Sequence, residues 1–193
     1  MKPSVGTISL LVALLVVFGI ELATHSAGNE SSLLKLGALP DNGALHGQYW
    51  RVATYSFLHF NGAHLLVNVL LLFWLGRIVE SRVGASYAAA IYVSSVLSSA
   101  AVIVLFHNLH PTAGATVGAS GGIFGLLAAA LIISHRRSAG TLDRETRLRT
   151  WLWIAFVAGL GISFLPGISL AGHVGGLIGG MLLACIAKFR RNA

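Results

Sequence analysis

Six apolar stretches, separated by polar or glycine-containing breaks of uneven length, dominate the chain and leave it few folds to choose from. They run from about Ser4 to Thr24, Ala63 to Val79, Ala85 to Phe106, Gly118 to Ser134, Trp151 to Leu165 and Ile168 to Lys188. About 20 apolar residues in a helix cross the ~30 Å hydrocarbon core of a bilayer. Lipid offers no hydrogen-bond partner to loose backbone, so each stretch is predicted to be a helix. A membrane barrel would alternate polar and apolar residues, and these stretches do not. With 55% hydrophobic and 10% charged residues, the chain cannot clothe a globular surface in ionic groups, since soluble domains carry about 25%. The expected fold is all-α: a polytopic bundle of six transmembrane helices forming one membrane domain over residues 1–193.

The placement of the cations supports this count. With the N-terminus in the cytoplasm, the inner segments hold Lys2, Arg77, Arg82, Arg136, Arg137, Arg144, Arg147, Arg149, Lys188, Arg190 and Arg191, and the outer ones only Lys35 and Arg51. Such a bias fits the positive-inside rule and sets both termini in the cytoplasm. The same scatter argues against nucleic acid as a partner, despite a net charge of +7, because no single basic stripe exists. A cleaved signal peptide is the rival for the first stretch, with a weak cleavage site in Glu21–Ala27. A retained helix is expected, because the charge pattern needs it. Cys185 stands alone in an apolar stretch, is read as a packing residue, and forms no internal disulfide.

The segment from Thr24 to Gly62 is too long for a simple connection. Its Tyr49, Trp50, Phe57 and Phe60 predict a segment lying at the membrane interface, with Trp50 and Arg51 as anchors. Arg136 to Thr150 is read as a basic cytoplasmic loop facing anionic lipid headgroups.

Polar groups inside membrane stretches are costly and therefore informative. Helix lengths at 1.5 Å per residue place Ser120, His173 and His64 roughly 9, 7.5 and 10 Å below the outer surface. Asn68 lies one turn below His64. Small-residue pairs flank the serine and the histidine: Gly118/Gly122 and Gly121/Gly125 in one stretch, Gly172/Gly176, Gly175/Gly179 and Gly176/Gly180 in another. Such pairs let helix backbones approach closely, as a side chain as short as serine needs to reach an imidazole. A serine hydroxyl becomes nucleophilic when a base takes its proton, and neutral histidine is the usual base. Ser120 opens its helix, where free N–H groups and the helix dipole favour an anion. Its own N–H, the Asn68 amide and His64 are candidate donors to an oxyanion. The six acids fall elsewhere, so a Ser120–His173 dyad is expected, not a triad. His25, His46, His59, His107 and His110 are read as solvated or interfacial and His135 as a helix cap. No metal and no cofactor is expected.

The segments Gly118-Ala-Ser120-Gly121, His64-x-x-x-Asn68 and His173-x-x-Gly176, with Tyr49-Trp50-Arg51 and Glu80-Ser-Arg82, resemble the signatures of the rhomboid family of intramembrane serine proteases. The resemblance covers nearly the whole chain, as a minimal six-helix core. It implies Ser120 as nucleophile, His173 as general base, and His64, Asn68 and the Ser120 amide as oxyanion donors. It also implies that Phe124 packs on the His173 ring and that the substrates are transmembrane helices of other proteins. The expected location is a bacterial or archaeal plasma membrane, the site opening toward the outer face. Gly172, where the family often has alanine, and Phe124, where some members have tyrosine, are departures. Two other readings compete: a non-catalytic rhomboid-like escort for membrane proteins, and a small transporter using His64 and His173 as a proton relay. The absence of repeated halves and of inward-facing acids weakens the transporter. The fifth helix, with Leu165-Pro166-Gly167 behind it, is expected to move as a lateral gate.

Overall fold

The computed structural model describes residues 4–136 and 142–187. Lys2, Arg137, Lys188, Arg190 and Arg191 of the charge count lie outside the described residues. Eight α-helices and one two-stranded ladder are present among the described residues: α1 (Val5–Ala23), α2 (Glu30–Leu36), β1 (Leu39–Pro40), α3 (Arg51–Thr54), α4 (Gly62–Val83), α5 (Ala85–Leu109), β2 (Ala115–Thr116), α6 (Ser120–Arg136), α7 (Leu142–Ile162) and α8 (Leu170–Ile186). The result is a polytopic helical membrane bundle built from α1, α4, α5, α6, α7 and α8. α1, α4 and α5 are long and apolar enough to cross a bilayer, while α6 and α8 are shorter apolar helices. Each of these two has 17 residues, about 25 Å at 1.5 Å per residue, shorter than a ~30 Å core.

The helix ends differ from the sequence expectation where local chemistry decides them. α6 starts at Ser120 and not Gly118, because Gly118 takes a φ of +126°, outside helical space. α8 starts at Leu170, capped by Ser169, whose Oγ accepts from the Gly172 amide at 3.1 Å. α7 starts nine residues before Trp151, so the basic segment read as a loop is helical from Leu142. An Arg82–Glu145 ion pair of 2.8 Å ties this extension to the end of α4.

α6 is the hub. It is apolar on every side, as a helix surrounded by others must be, and it contacts α4, α5, α7 and α8. Glycine sets the approach on its α8 side. A Cβ on Gly176 would collide with the carbonyl of Gly121, and one on Gly180 with the backbone of Gly125. α5 closes the third side: a Cβ on Gly122 would strike Tyr92, and one on Gly125 would strike Ser95. α1 is held at its start, where Glu80 of α4 accepts from Gly6 N (3.1 Å), Thr7 N (2.8 Å) and Thr7 Oγ1 (2.7 Å). The carboxylate thereby satisfies amides that the first turn of a helix leaves free.

The first loop is folded. α2 is capped by Asn29, whose Oδ1 accepts from Ser32 N at 3.0 Å, and ends on left-handed Gly37. Leu33, Ala38 and Leu58 form a small buried core of the loop's own, and β1 pairs antiparallel with β2, Leu39 opposite Thr116. Arg51 departs from its expected role as an interface anchor. Its Nη1 donates to Leu34 O (2.6 Å) and Ala38 O (2.7 Å), and its Nε to Gln48 Oε1 (2.7 Å). It therefore staples the turn after α2, while Tyr49 and Trp50 stay exposed.

Replacing Gly180 with alanine is expected to destabilise the bundle by about 1–3 kcal/mol, the usual cost of overpacking. The Gly161→Ala change, where a Cβ meets nothing within 4 Å, is expected to leave it unchanged or slightly firmer. Unfolding of both variants in micelles checks this; equal stabilities would show that the α6–α8 approach has slack.

Candidate functional site

Three helix starts converge under the first loop. Asn61 caps α4, its Oδ1 accepting from the His64 amide at 2.9 Å, which puts His64 in the first turn. Asn68 follows one turn on, buried, with Nδ2 donating to His64 O at 3.0 Å. One N–H of that amide is thus committed to the helix and the second remains to donate elsewhere.

Ser120 opens α6 and is half-buried. The Tyr55 carbonyl accepts from Gly118 N at 3.0 Å, and the Tyr55 hydroxyl donates to Val96 O at 3.0 Å. This tyrosine ties the loop, α5 and the approach to Ser120 together. The missing side chain at Gly118 leaves room between two polar groups: a Cβ there would lie 2.8 Å from His64 Nε2 and 3.9 Å from Ser120 Oγ. His64 and Ser120 therefore face one small space, and alanine at 118 would fill it.

His173, in the first turn of α8, is buried. Its ring stacks on Phe124 with centroids 4.0 Å apart and planes 11° from parallel. Phe124 stands one turn beyond Ser120 on α6, so the imidazole lies over the Ser120 side of that helix. No hydrogen bond joins Ser120 and His173 in this structure. The hydrogen bond that His173 does make is with Ser163, just past the end of α7, at 2.6 Å between Nδ1 and Oγ. On the same face of α7, a Cβ on Gly159 would lie 2.9 Å from Phe124 Cζ. The Phe124–His173 stack is cradled between Gly159 and Ser163. Sequence reasoning missed Ser163, since a serine at the end of a membrane helix carries no signal of its own; its position ten residues before His173 was the one clue.

His59 corrects another expectation. It is completely buried, not solvated, with its ring edge-on to His64 at 5.1 Å. Its amide donates to the Glu21 carboxylate, at 3.0 Å to Oε1 and 3.3 Å to Oε2. The sequence hid this because nothing in it shows Glu21, at the end of α1, reaching the loop.

Chemically, the three helix starts bear a hydroxyl at a helix N-terminus, an imidazole over the same helix face, and two further possible donors on α4, His64 facing the space at Gly118 and Asn68 one turn on. That is the equipment of acyl transfer on a scaffold of membrane helices. The comparisons identify the scaffold: a Rhomboid domain model matches residues 46–189. The chain is similar to the Rhomboid protease GluP of Bacillus subtilis, 31% identical over 95% of this chain and 34% of that protein. It is 33% identical to the RHOMBOID-like protein 5 of Arabidopsis thaliana over 82% of this chain and 50% of that protein. The Rhomboid protease AarA of Providencia stuartii is 30% identical over 94% of this chain and 73% of its own length. The chain belongs to the rhomboid family, and it spans a third to a half of the length of the first two of these relatives.

Burial, reinforced by the neighbouring His64 ring, holds His59 down at about 4 from its ordinary 6.5. The folded protein keeps this ring neutral, while the unfolded chain takes up a proton near pH 6.5. Its contribution is complete above that pH and is lost as pH falls toward 4, by at most about 3 kcal/mol. Unfolding of wild type and His59→Gln, followed from about pH 7.5 to 4, is expected to show a steeper acid loss in the wild type. Parallel curves would exclude His59 as the titrating group.

Proposed function

We propose that this protein is an intramembrane serine endopeptidase that cuts peptide bonds in or beside transmembrane helices of other membrane proteins. Ser120 is the nucleophile and His173 the general base. The observation that carries the reading is the pairing, in a rhomboid-family chain, of a hydroxyl at the start of α6 with an imidazole stacked on Phe124 one turn away. Relatives named as proteases support it.

In this mechanism Ser120 Oγ passes its proton to His173 Nε2 and attacks the scissile carbonyl. The tetrahedral oxyanion accepts from Ser120 N–H, His64 Nε2 and the free N–H of Asn68 Nδ2. The bond to the leaving amine breaks as His173 returns the proton, and water then hydrolyses the acyl-enzyme by the same route. The contact between Ser120 and His173 closes when substrate is bound, as such hydrogen bonds often do. Gly118, Gly121 and Gly176 make room for the pocket and Phe124 supports the base. Residues 1–193 act as one membrane unit in a bacterial or archaeal plasma membrane, termini in the cytoplasm and pocket toward the outer face. Polar outer loops admit water. α7, which packs chiefly on α6 and is followed by the exposed Leu165-Pro166-Gly167 turn, is the element that moves to admit a substrate helix.

Ser120→Ala is expected to lower cleavage of a transmembrane reporter in liposomes at least about a thousandfold, with fluorophosphonate labelling lost in Ser120→Ala and His173→Ala alike. Cleavage at the wild-type rate in Ser120→Ala would end the reading. Normal folding without labelling in the wild type would favour a non-catalytic escort.

A further inference from the structure

At the Nδ1 edge of His173 the chain places a hydroxyl whose own hydrogen is already committed. Ser163 Oγ lies 2.7 Å from Gly159 O and 2.6 Å from His173 Nδ1, and the serine is buried. A hydroxyl has one hydrogen and two lone pairs. A carbonyl oxygen cannot donate, so the 2.7 Å contact to Gly159 O requires the Ser163 hydrogen, the back-bond that serine commonly makes to the carbonyl one turn earlier. The oxygen can then only accept from the ring. Nδ1 must carry hydrogen, and the neutral imidazole keeps its lone pair on Nε2. With the opposite tautomer the single hydroxyl hydrogen could serve only one of the two contacts, leaving either two hydrogen-free oxygens 2.7 Å apart or a lone pair on Nδ1 facing a lone pair on Ser163 Oγ.

We infer that Ser163 is a positioning residue of the active site: its hydroxyl fixes the tautomer and the ring plane of His173, so that the basic nitrogen is Nε2. The inference rests on His173 being the general base, as proposed above. In that role Nε2 takes the Ser120 proton while Nδ1–H stays on Ser163 Oγ throughout, so no proton beyond the one from Ser120 moves and no group turns when the imidazolium forms. Phe124 defines the plane of the ring and Ser163 its rotation within that plane. Both are set from α7 as well as α6, because Gly159 and Ser163 lie one turn apart on the face that cradles the stack. Among the described residues no carboxylate hydrogen-bonds to His173: Glu21 serves His59, Glu80 serves Gly6 and Thr7, Asp41 accepts from Thr116 at 2.7 Å, and Glu145 pairs with Arg82. The hydroxyl of Ser163 fills the place that an acid would otherwise occupy.

The test compares Ser163→Ala and Ser163→Thr with wild type and Ser120→Ala in liposomes. Ser163→Ala is expected to lower kcat by about 10- to 100-fold, the usual loss when a ring's orienting partner is removed, with KM unchanged. The rate of fluorophosphonate labelling at Ser120, which needs no substrate helix, should fall in step. Ser163→Thr keeps a hydroxyl with the same bonding choices and should recover most of both rates. In protein carrying 15N-histidine, the wild type should show a His173 Nδ1 bearing hydrogen, a signal lost or exchanged in Ser163→Ala. Wild-type kcat and labelling in Ser163→Ala, or a wild-type His173 Nδ1 without hydrogen, would overturn the inference; the second readout holds even if the alanine variant fails to fold. An active Ser120→Ala would instead remove the mechanism beneath it, so the two failures are told apart.

Discussion

The contact on which the rest of the structure depends is backbone against backbone, where Gly121 and Gly125 of α6 meet Gly176 and Gly180 of α8. Within a bilayer no hydrophobic drive brings helices together, since lipid is as apolar as leucine; packing and polar contacts must do it. Removing every Cβ from this seam lets the two helices approach until the carbonyl of one touches the α-carbon of the other. That distance brings the first turn of α8 over the first turn of α6. His173 then has one place to lie, flat on Phe124. α5 completes the clamp with small side chains, Ser95 and Ser99, which crowd the positions of Gly125 and Gly121. The pocket follows from this seam.

The first loop supplies what the seam cannot. The start of a helix has amides in need of partners, and in the proposed hydrolysis it must also be reached by water. The loop meets both demands by being folded. Its small core around Leu33, Ala38 and Leu58 and the Arg51 staple make it a rigid cover. Tyr55 fastens that cover to α5 and to Gly118, immediately before the helix start. Glu21 carries the fastening to α1 through the His59 amide. A buried, neutral histidine then stands edge-on beside His64.

The apolar stretches and their glycine pairs made the bundle legible in the sequence, because in lipid a long apolar run has one solution. They also made legible that Ser120, His64 and His173 stand in the first turns of their helices. Helix ends were less so. Gly118 reads as a helix-packing glycine, and only its left-handed backbone reveals that it stands outside α6. The basic segment before Trp151 reads as a loop by charge, yet its residues are good helix formers, and the Arg82–Glu145 pair anchors it. The loop's fold was hidden altogether, because Arg51 and Glu21 act over long sequence separations that no periodicity marks. The same blindness hid Ser163, a residue whose meaning lies wholly in what stands across from it.

That serine also explains why a membrane-buried histidine can be oriented without an acid. A carboxylate behind His173 would have to be kept ionised among apolar helices, and burying an ionised group costs several kcal/mol even after relaxation. A hydroxyl carries no net charge, and its hydrogen is already used on its own helix through Gly159 O, so it presents a lone pair at no such cost. It gives less electrostatic support to an imidazolium than a carboxylate would, but it fixes the same tautomer. Because the hydroxyl stands just past the end of α7, displacement of α7 would withdraw the lone pair from Nδ1 and unpack Gly159 from Phe124 in one motion. A substrate helix that enters by parting α7 from α6 would meet a loosened histidine, and the base would be restored only as α7 closes on the bound chain. In the proposed mechanism, competence of the base would thus be linked to closure of the bundle through a single hydrogen bond of 2.6 Å.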